Sequence, residues 1–146
     1  MTVMGIDPGA QRIGLAVTDP LGAAAHGLPT VEAQPDGSEI DRIAELVRER
    51  NVERIVVGLP ISMDGTEGPQ ARKVRGFIKR LRAAVPDVPV ETVDERLTSA
   101  RAHRALSEEG VGMRERGRRV DRMAAQLILT RWLNRQADAE DEEPET

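Results

Sequence analysis

The chain has 146 residues, no cysteine, one Trp, one Phe, no Tyr and a net charge of −4. That length suits one domain with a single covered core. The absence of cysteine excludes a disulfide framework and a thiolate zinc site, which makes a cytoplasmic address the default. No apolar run is long enough to cross a bilayer, the N-terminus does not read as a signal peptide, and the scarcity of aromatic rings argues against a base-stacking platform. The net charge hides an asymmetry: Asp138–Thr146 holds six acids and no base, leaving +2 for residues 1–137. The terminal acidic block reads as a disordered, solvated tail. The remainder, one mildly basic domain rich in arginine, suits a polyanionic partner.

Residues 3–7 and 13–18 are apolar and β-favouring around the turn-like "PGAQR", and predict a hairpin. A third strand is expected near 25–32, after "DPLG". From Ser38 to Arg50, Ile40, Ile43, Ala44 and Val47 recur at helical spacing, with Ser38 as the N-cap. The continuous apolar run "RIVVGLP" (54–60) reads as a strand buried on both faces. Gly68-Pro69 then opens a basic helix to about Ala84, Pro being suited to the first helical position. A strand over 88–95, a short helix from Thr98 to Glu108 and a long helix from Val120 to Gln136 complete the order β-β-β-α-β-α-β-α-α. A strand meander followed by alternating strands and helices indicates an α/β fold with a mixed sheet flanked by helices.

The first strand ends in a puzzle. A carboxylate, Asp7, sits at the end of an apolar run, and a buried acid is costly, on the order of several kcal/mol, unless it is neutralised, paired or given to a metal. Sites in open sheets gather at the carboxyl ends of parallel strands. Asp94-Glu95 ends the last strand, and Asp121 is expected to open the final helix, with Ala124 and Ala125 one turn on to let that helix approach the sheet. Convergent acids without cysteine suit a hard cation with oxygen ligands, Mg2+ or Mn2+. One or two such ions can activate a water and stabilise the leaving oxygen in phosphodiester cleavage. Each acid has a plainer reading: Asp7 as a turn former, Glu95 as a partner of Arg96, Asp121 as a charge favoured by the helix dipole. Their convergence is what the metal reading requires.

Two rival chemistries are weaker. His26 and His103 stand in no ligand spacing, and surface or core histidine is the plainer reading. The opening glycines lack the Lys-Ser/Thr of a P-loop. A phosphate-holding turn of the kind used by sugar kinases and actin-like ATPases needs a second, related domain for which the chain has no room. Basic residues form two groups. On the helix after Pro69, Arg72 and Lys73 are expected to meet substrate, while Lys79, Arg80 and Arg82 read as a solvated face. In "GVGMRERGRRV" five arginines with Arg122 crowd three glycines, which predicts a flexible cationic flap in which Arg118 and Arg119 contact phosphate.

The stretches "GIDPGAQRIGLAVTD", "VVGLPISMDGTEGPQA", "VDERLTS" and "VDRMAAQLIL" resemble, in order and spacing, the YqgF family. These are Holliday-junction-resolvase-like proteins described as nucleases for the 5′ end of pre-16S ribosomal RNA. The resemblance runs from about residue 3 to 135. It implies a ribonuclease-H-like fold, a mixed five-stranded sheet flanked by helices, with an acidic triad on Asp7, Glu95 and Asp121 that binds divalent metal. Arg12 and Arg96, inside the first and third motifs, are expected to contact phosphate or position the acids. Ser62, Thr18 and the arginines before Asp121 depart from the Asn, Ser and lysines common in the family; Arg for Lys keeps charge but alters hydrogen-bond geometry. The function implied is a metal-dependent nuclease acting on pre-rRNA, as monomer or homodimer. Its rivals are resolution of branched, four-way DNA by a dimer and a non-catalytic RNA-binding assembly factor.

Overall fold

The computed structural model describes residues 1–9, 11–94 and 113–141, with side chains in the last segment for 121–139. Its elements in chain order are β1 (Thr2–Pro8), β2 (Arg12–Thr18), β3 (Ala25–Glu32), α1 (Glu39–Glu49), β4 (Val52–Leu59), α2 (Pro69–Ala84), β5 (Val90–Asp94) and α3 (Met113–Asp141). The strands form one five-stranded sheet in the order β3-β2-β1-β4-β5. β1–β2 and β2–β3 are antiparallel; β1–β4 and β4–β5 are parallel. The mixed sheet is therefore the one expected, with β1 central and both its neighbours paired.

Strand alternation divides the core. Met4, Ile6, Ile13, Leu15, Ile55, Val57 and Leu59 pack on one face beneath α1 and α2, which supply Ile40, Ile43, Val47, Val74, Phe77, Ile78 and Leu81. The other face carries Val3, Ala16, Val56 and Val93, and α3 covers it with Ala125, Ile128, Leu129 and Trp132. At the far end of α3 the Trp132 indole Nε1–H donates to Glu91, whose other carboxylate oxygen accepts from Arg54 Nη1 at 2.6 Å. This anchor fixes the helix at the end of the sheet remote from Asp7.

The sheet receives α3 on a strip of missing side chains. A Cβ on Gly5 would stand 2.9 Å from Leu129 Cβ and 3.0 Å from the Ala125 carbonyl oxygen. On Gly14 it would stand 2.1 Å from the Asp121 carbonyl oxygen, and on Gly27, 3.4 Å from the Gln126 side chain. The alanines expected to permit close approach, Ala124 and Ala125, are fully buried; the glycines opposite them are the other half of that contact.

Three boundaries differ from the sequence reading. Ser38 makes no side-chain cap and lies in the helical region; instead its N–H donates to Asp36 Oδ1 at 3.0 Å. α3 begins at Met113, so the expected cationic flap is helical over 113–119, and Asp121 lies inside the helix rather than at its start. Arg, Glu and Met are good helix formers, and the cost of one glycine, Gly117, is only about 1 kcal/mol. α3 also continues through Asp141, four residues into the acidic segment. The expected helix from Thr98 to Glu108 lies outside the described residues.

The strip makes a clear prediction. Gly14→Ala should lower unfolding stability in urea by about 2 kcal/mol or more, as overpacking against backbone does. Gly76→Ala, in the exposed middle of α2 with open space around its Cα, should raise it by roughly 0.5–1 kcal/mol. Equal effects at the two positions would show that α3 does not depend on the bare strip.

Candidate active site

Asp7 is the penultimate residue of β1, and alternation from Val3 through Gly5 places it on the α3 face. Its antiparallel partner is Gly14. Directly opposed residues project from the same face of a sheet. The α3 backbone at Asp121 rests on that face of Gly14, which places Asp121 over the Asp7–Gly14 strand pair at the carboxyl end of β1.

Arg12 opens β2 two residues before Gly14, on the same face. Its Nε donates to Asp121 Oδ2 at 2.8 Å, with side chains 25% and 21% exposed. This contact joins residues far apart in the chain. The hairpin that carries Asp7 and Arg12 is closed by Gly9 N–H donating to the Arg12 carbonyl at 3.0 Å.

The loop after β4 borders the same end. Ser62 N–H donates to the Thr66 carbonyl at 2.9 Å, and Asp64 Oδ1 accepts from both Thr66 N–H and Thr66 Oγ1–H. Those donors hold the Asp64 carboxyl below its usual range. Arg75 grips Glu67 through two bonds of 2.8 Å, which lowers the Glu67 carboxyl and raises the Arg75 guanidinium.

Between this loop, the end of β1 and α2 lies a cleft of about 380 Å³, lined by residues that include Asp7, Pro8, Glu39, Lys73, Phe77 and Arg80. Lys73 lines this cleft together with Asp7, whereas Arg72 is exposed on α2 and lines no part of it. Arg80 and Arg82 do more than decorate a solvated face. Arg80 Nη1 lies 3.9 Å from Glu39 Oε1, and Arg82 Nη2 donates to the Val90 carbonyl at 2.8 Å. Glu39, 7% exposed, was not singled out by the sequence, where it reads as an ordinary first-turn acid. His26 is exposed and 3.9 Å from Asp19.

Glu95 and Arg96 lie outside the described residues, Glu95 immediately after the Asp94 that ends β5; the backbone of Arg118 and Arg119 is part of α3, and their side chains are outside the description. Among the described residues no group of three or more His, Asp or Glu side chains gathers to hold an ion. Of the expected triad, Asp7 and Asp121 are described: the Asp121 backbone rests on Gly14, the strand partner of Asp7.

This fold belongs to the ribonuclease-H-like class found in junction resolvases. It superposes on Thermus thermophilus RuvC in complex with a Holliday junction substrate with a TM-score of 0.57, at 24% identity over 94% of this chain and 96% of that one. The family model described as RuvX, Holliday junction resolvase, matches residues 1–135, and the chain belongs to that family. A relative from Anaeromyxobacter sp. (strain K) is 47% identical over 94% of this chain and 99% of its own; one from Crocosphaera subtropica is 44% identical over 92% and 93%. Both carry the name "Putative pre-16S rRNA nuclease".

The Arg12–Asp121 pair is partly buried and should be worth about 1 kcal/mol at low salt. A double-mutant cycle of Arg12→Gln and Asp121→Asn, read by urea unfolding, should return a coupling energy near that value that shrinks in 1 M salt. A coupling of zero at low salt would dissolve the contact.

Proposed function

We propose that this protein is a metal-dependent nuclease that hydrolyses phosphodiester bonds of precursor ribosomal RNA in the cytoplasm, in 5′-end maturation of pre-16S rRNA. The relatives' name supports the substrate, and membership of a resolvase family supports phosphodiester cleavage. The observation that carries the chemistry is the seating of Asp121 on Gly14, opposite Asp7.

The donor set fits a divalent cation. Asp7 and Asp121 offer hard oxygen ligands, and both are partly exposed rather than sealed, so an ion and a phosphate can reach them. Mg2+ or Mn2+, as one ion or two, would be held by Asp7 and Asp121, with Glu95 as the third acid of the triad. When bound, it supplies charge that makes water a better nucleophile and stabilises the leaving oxygen. The chain's own residues do the rest. Arg12 fixes the direction of the Asp121 carboxylate and offsets its repulsion with Asp7. Lys73, in the cleft that reaches Asp7, takes a substrate phosphate, and Arg96, Arg118 and Arg119 extend that contact along the strand. Arg72, exposed on the same helix, contributes long-range attraction at most.

A second reading, resolution of four-way DNA by a homodimer, is favoured by the family description and by the likeness to RuvC on its junction. Incubation with a precursor 16S fragment and with a four-way DNA junction, in Mg2+, Mn2+ or EDTA, separates the two. The RNA should be cut in either metal, and EDTA, Asp7→Asn or Asp121→Asn should lower the rate at least 100-fold. Cleavage of the junction alone would transfer the function to DNA. Cleavage of RNA that survives EDTA or Asp7→Asn would overturn the mechanism, and binding without cleavage would leave an assembly factor.

A further inference from the structure

The cleft beside Asp7 is built for more than a phosphate. Its walls mix polar side chains with apolar ones, among them Ile13, Pro60, Val74 and Phe77, and its volume of about 380 Å³ lies within the roughly 300–1,000 Å³ range of small-molecule sites. Lys73 and Arg80 bring cationic side chains to it, and Glu39 brings a carboxylate that is 7% exposed. Glu39 Oε2 accepts one bond, from Gln34 N–H at 3.1 Å. Oε1 faces Arg80 Nη1 at 3.9 Å, beyond hydrogen-bond range. An ionised carboxylate has about four acceptor positions, so this one keeps capacity for further donors, and its burial strengthens the bonds it makes.

We propose that this cleft is a subsite for one unpaired guanine nucleotide of the substrate strand, next to the phosphate that is cut. The inference rests on the nuclease reading and names the base read beside its site. Recognition of an unstacked base combines flat contact with apolar side chains and hydrogen bonds to its Watson–Crick edge. Pro60, which is half-buried, supplies the flat contact, with the small exposed edges of Val74 and Phe77 beside it. Guanine presents two adjacent donors on that edge, N1–H and the N2 amino group, which match the two oxygens of a carboxylate. Adenine and cytosine place an acceptor beside their amino group, and uracil flanks its single N–H with two carbonyls, so each would set an acceptor against the Glu39 oxygens. Lys73 and Arg80 neutralise the nucleotide's phosphate.

The test is titration of the full-length protein with 5′-GMP, AMP, CMP and UMP in metal-free buffer, followed by calorimetry and by amide NMR shifts. GMP should bind at least tenfold more tightly than the other three and should move signals of residues 33–39 and 70–80. Glu39→Gln keeps an acceptor for Gln34 N–H but turns an amide donor toward the base, and should erase the preference for GMP. Equal binding of all four nucleotides, no binding of GMP, or shifts elsewhere would overturn the subsite using the wild-type chain alone. A preference for GMP that survives Glu39→Gln would overturn the role of the carboxylate. The assay involves no metal and no cleavage, so its failure leaves the reading of Asp7 and Asp121 standing and is distinguishable from a failure of that reading.

Discussion

The approach of α3 to a strip of the sheet that lacks side chains governs the rest of the molecule. An ordinary helix–sheet contact holds the two layers about 10 Å apart, a separation set by side chains. Here Gly5, Gly14 and Gly27 remove those side chains on three adjacent strands, and Ala124 and Ala125 remove them from the helix. The helix backbone at Asp121 therefore reaches the sheet itself. Only that closeness lets a carboxylate on a distant part of the chain share a site with Asp7 on the central strand. At the other end, Trp132, Glu91 and Arg54 hold the same helix, so its position is set at both ends.

Closeness brings an electrostatic cost, because two carboxylates converge where the surroundings are partly buried. Arg12 meets part of that cost through its bond to Asp121. The pair lies at the surface of the site rather than deep in the core, where desolvation would outweigh attraction. An acidic site that is held together by a neighbouring arginine, and open to solvent, is suited to take up a cation together with a negatively charged strand. On the opposite face the cleft bounded by Glu39, Lys73 and Arg80 starts from the same strand end, so one residue pair, Asp7 and Pro8, joins the two regions.

Much of this was legible in the sequence for identifiable reasons. The hairpin, the buried run 54–60 and the helix opened by Pro69 follow from alternation, uninterrupted hydrophobicity and a fixed proline φ, all local signals. Asp7 drew notice because charge at a strand end is conspicuous. What escaped was non-local. Gly5, Gly14 and Gly27 look like turn or bulge glycines until the helix that rests on them is known. Glu39 resembles any first-turn acid until the strand and helix around it enclose it. The run 113–119 reads as a loop because of its glycine and charges, although most of its residues favour helix and its place in α3 extends the element. Ser38 holds the N-cap position without a side-chain cap because it lies in the helical region and its hydroxyl bonds to Asp36 instead.

The central claim is that α3 brings Asp121 to Asp7 to form a divalent-cation site. Paramagnetic broadening of the amide NMR spectrum by substoichiometric Mn2+ tests it most directly. The account predicts that signals from residues 5–8, 13–15 and 120–123 broaden first, and that Asp7→Asn removes the effect there. Broadening confined to the acidic segment 138–146, with the end of β1 and Asp121 untouched, would contradict it.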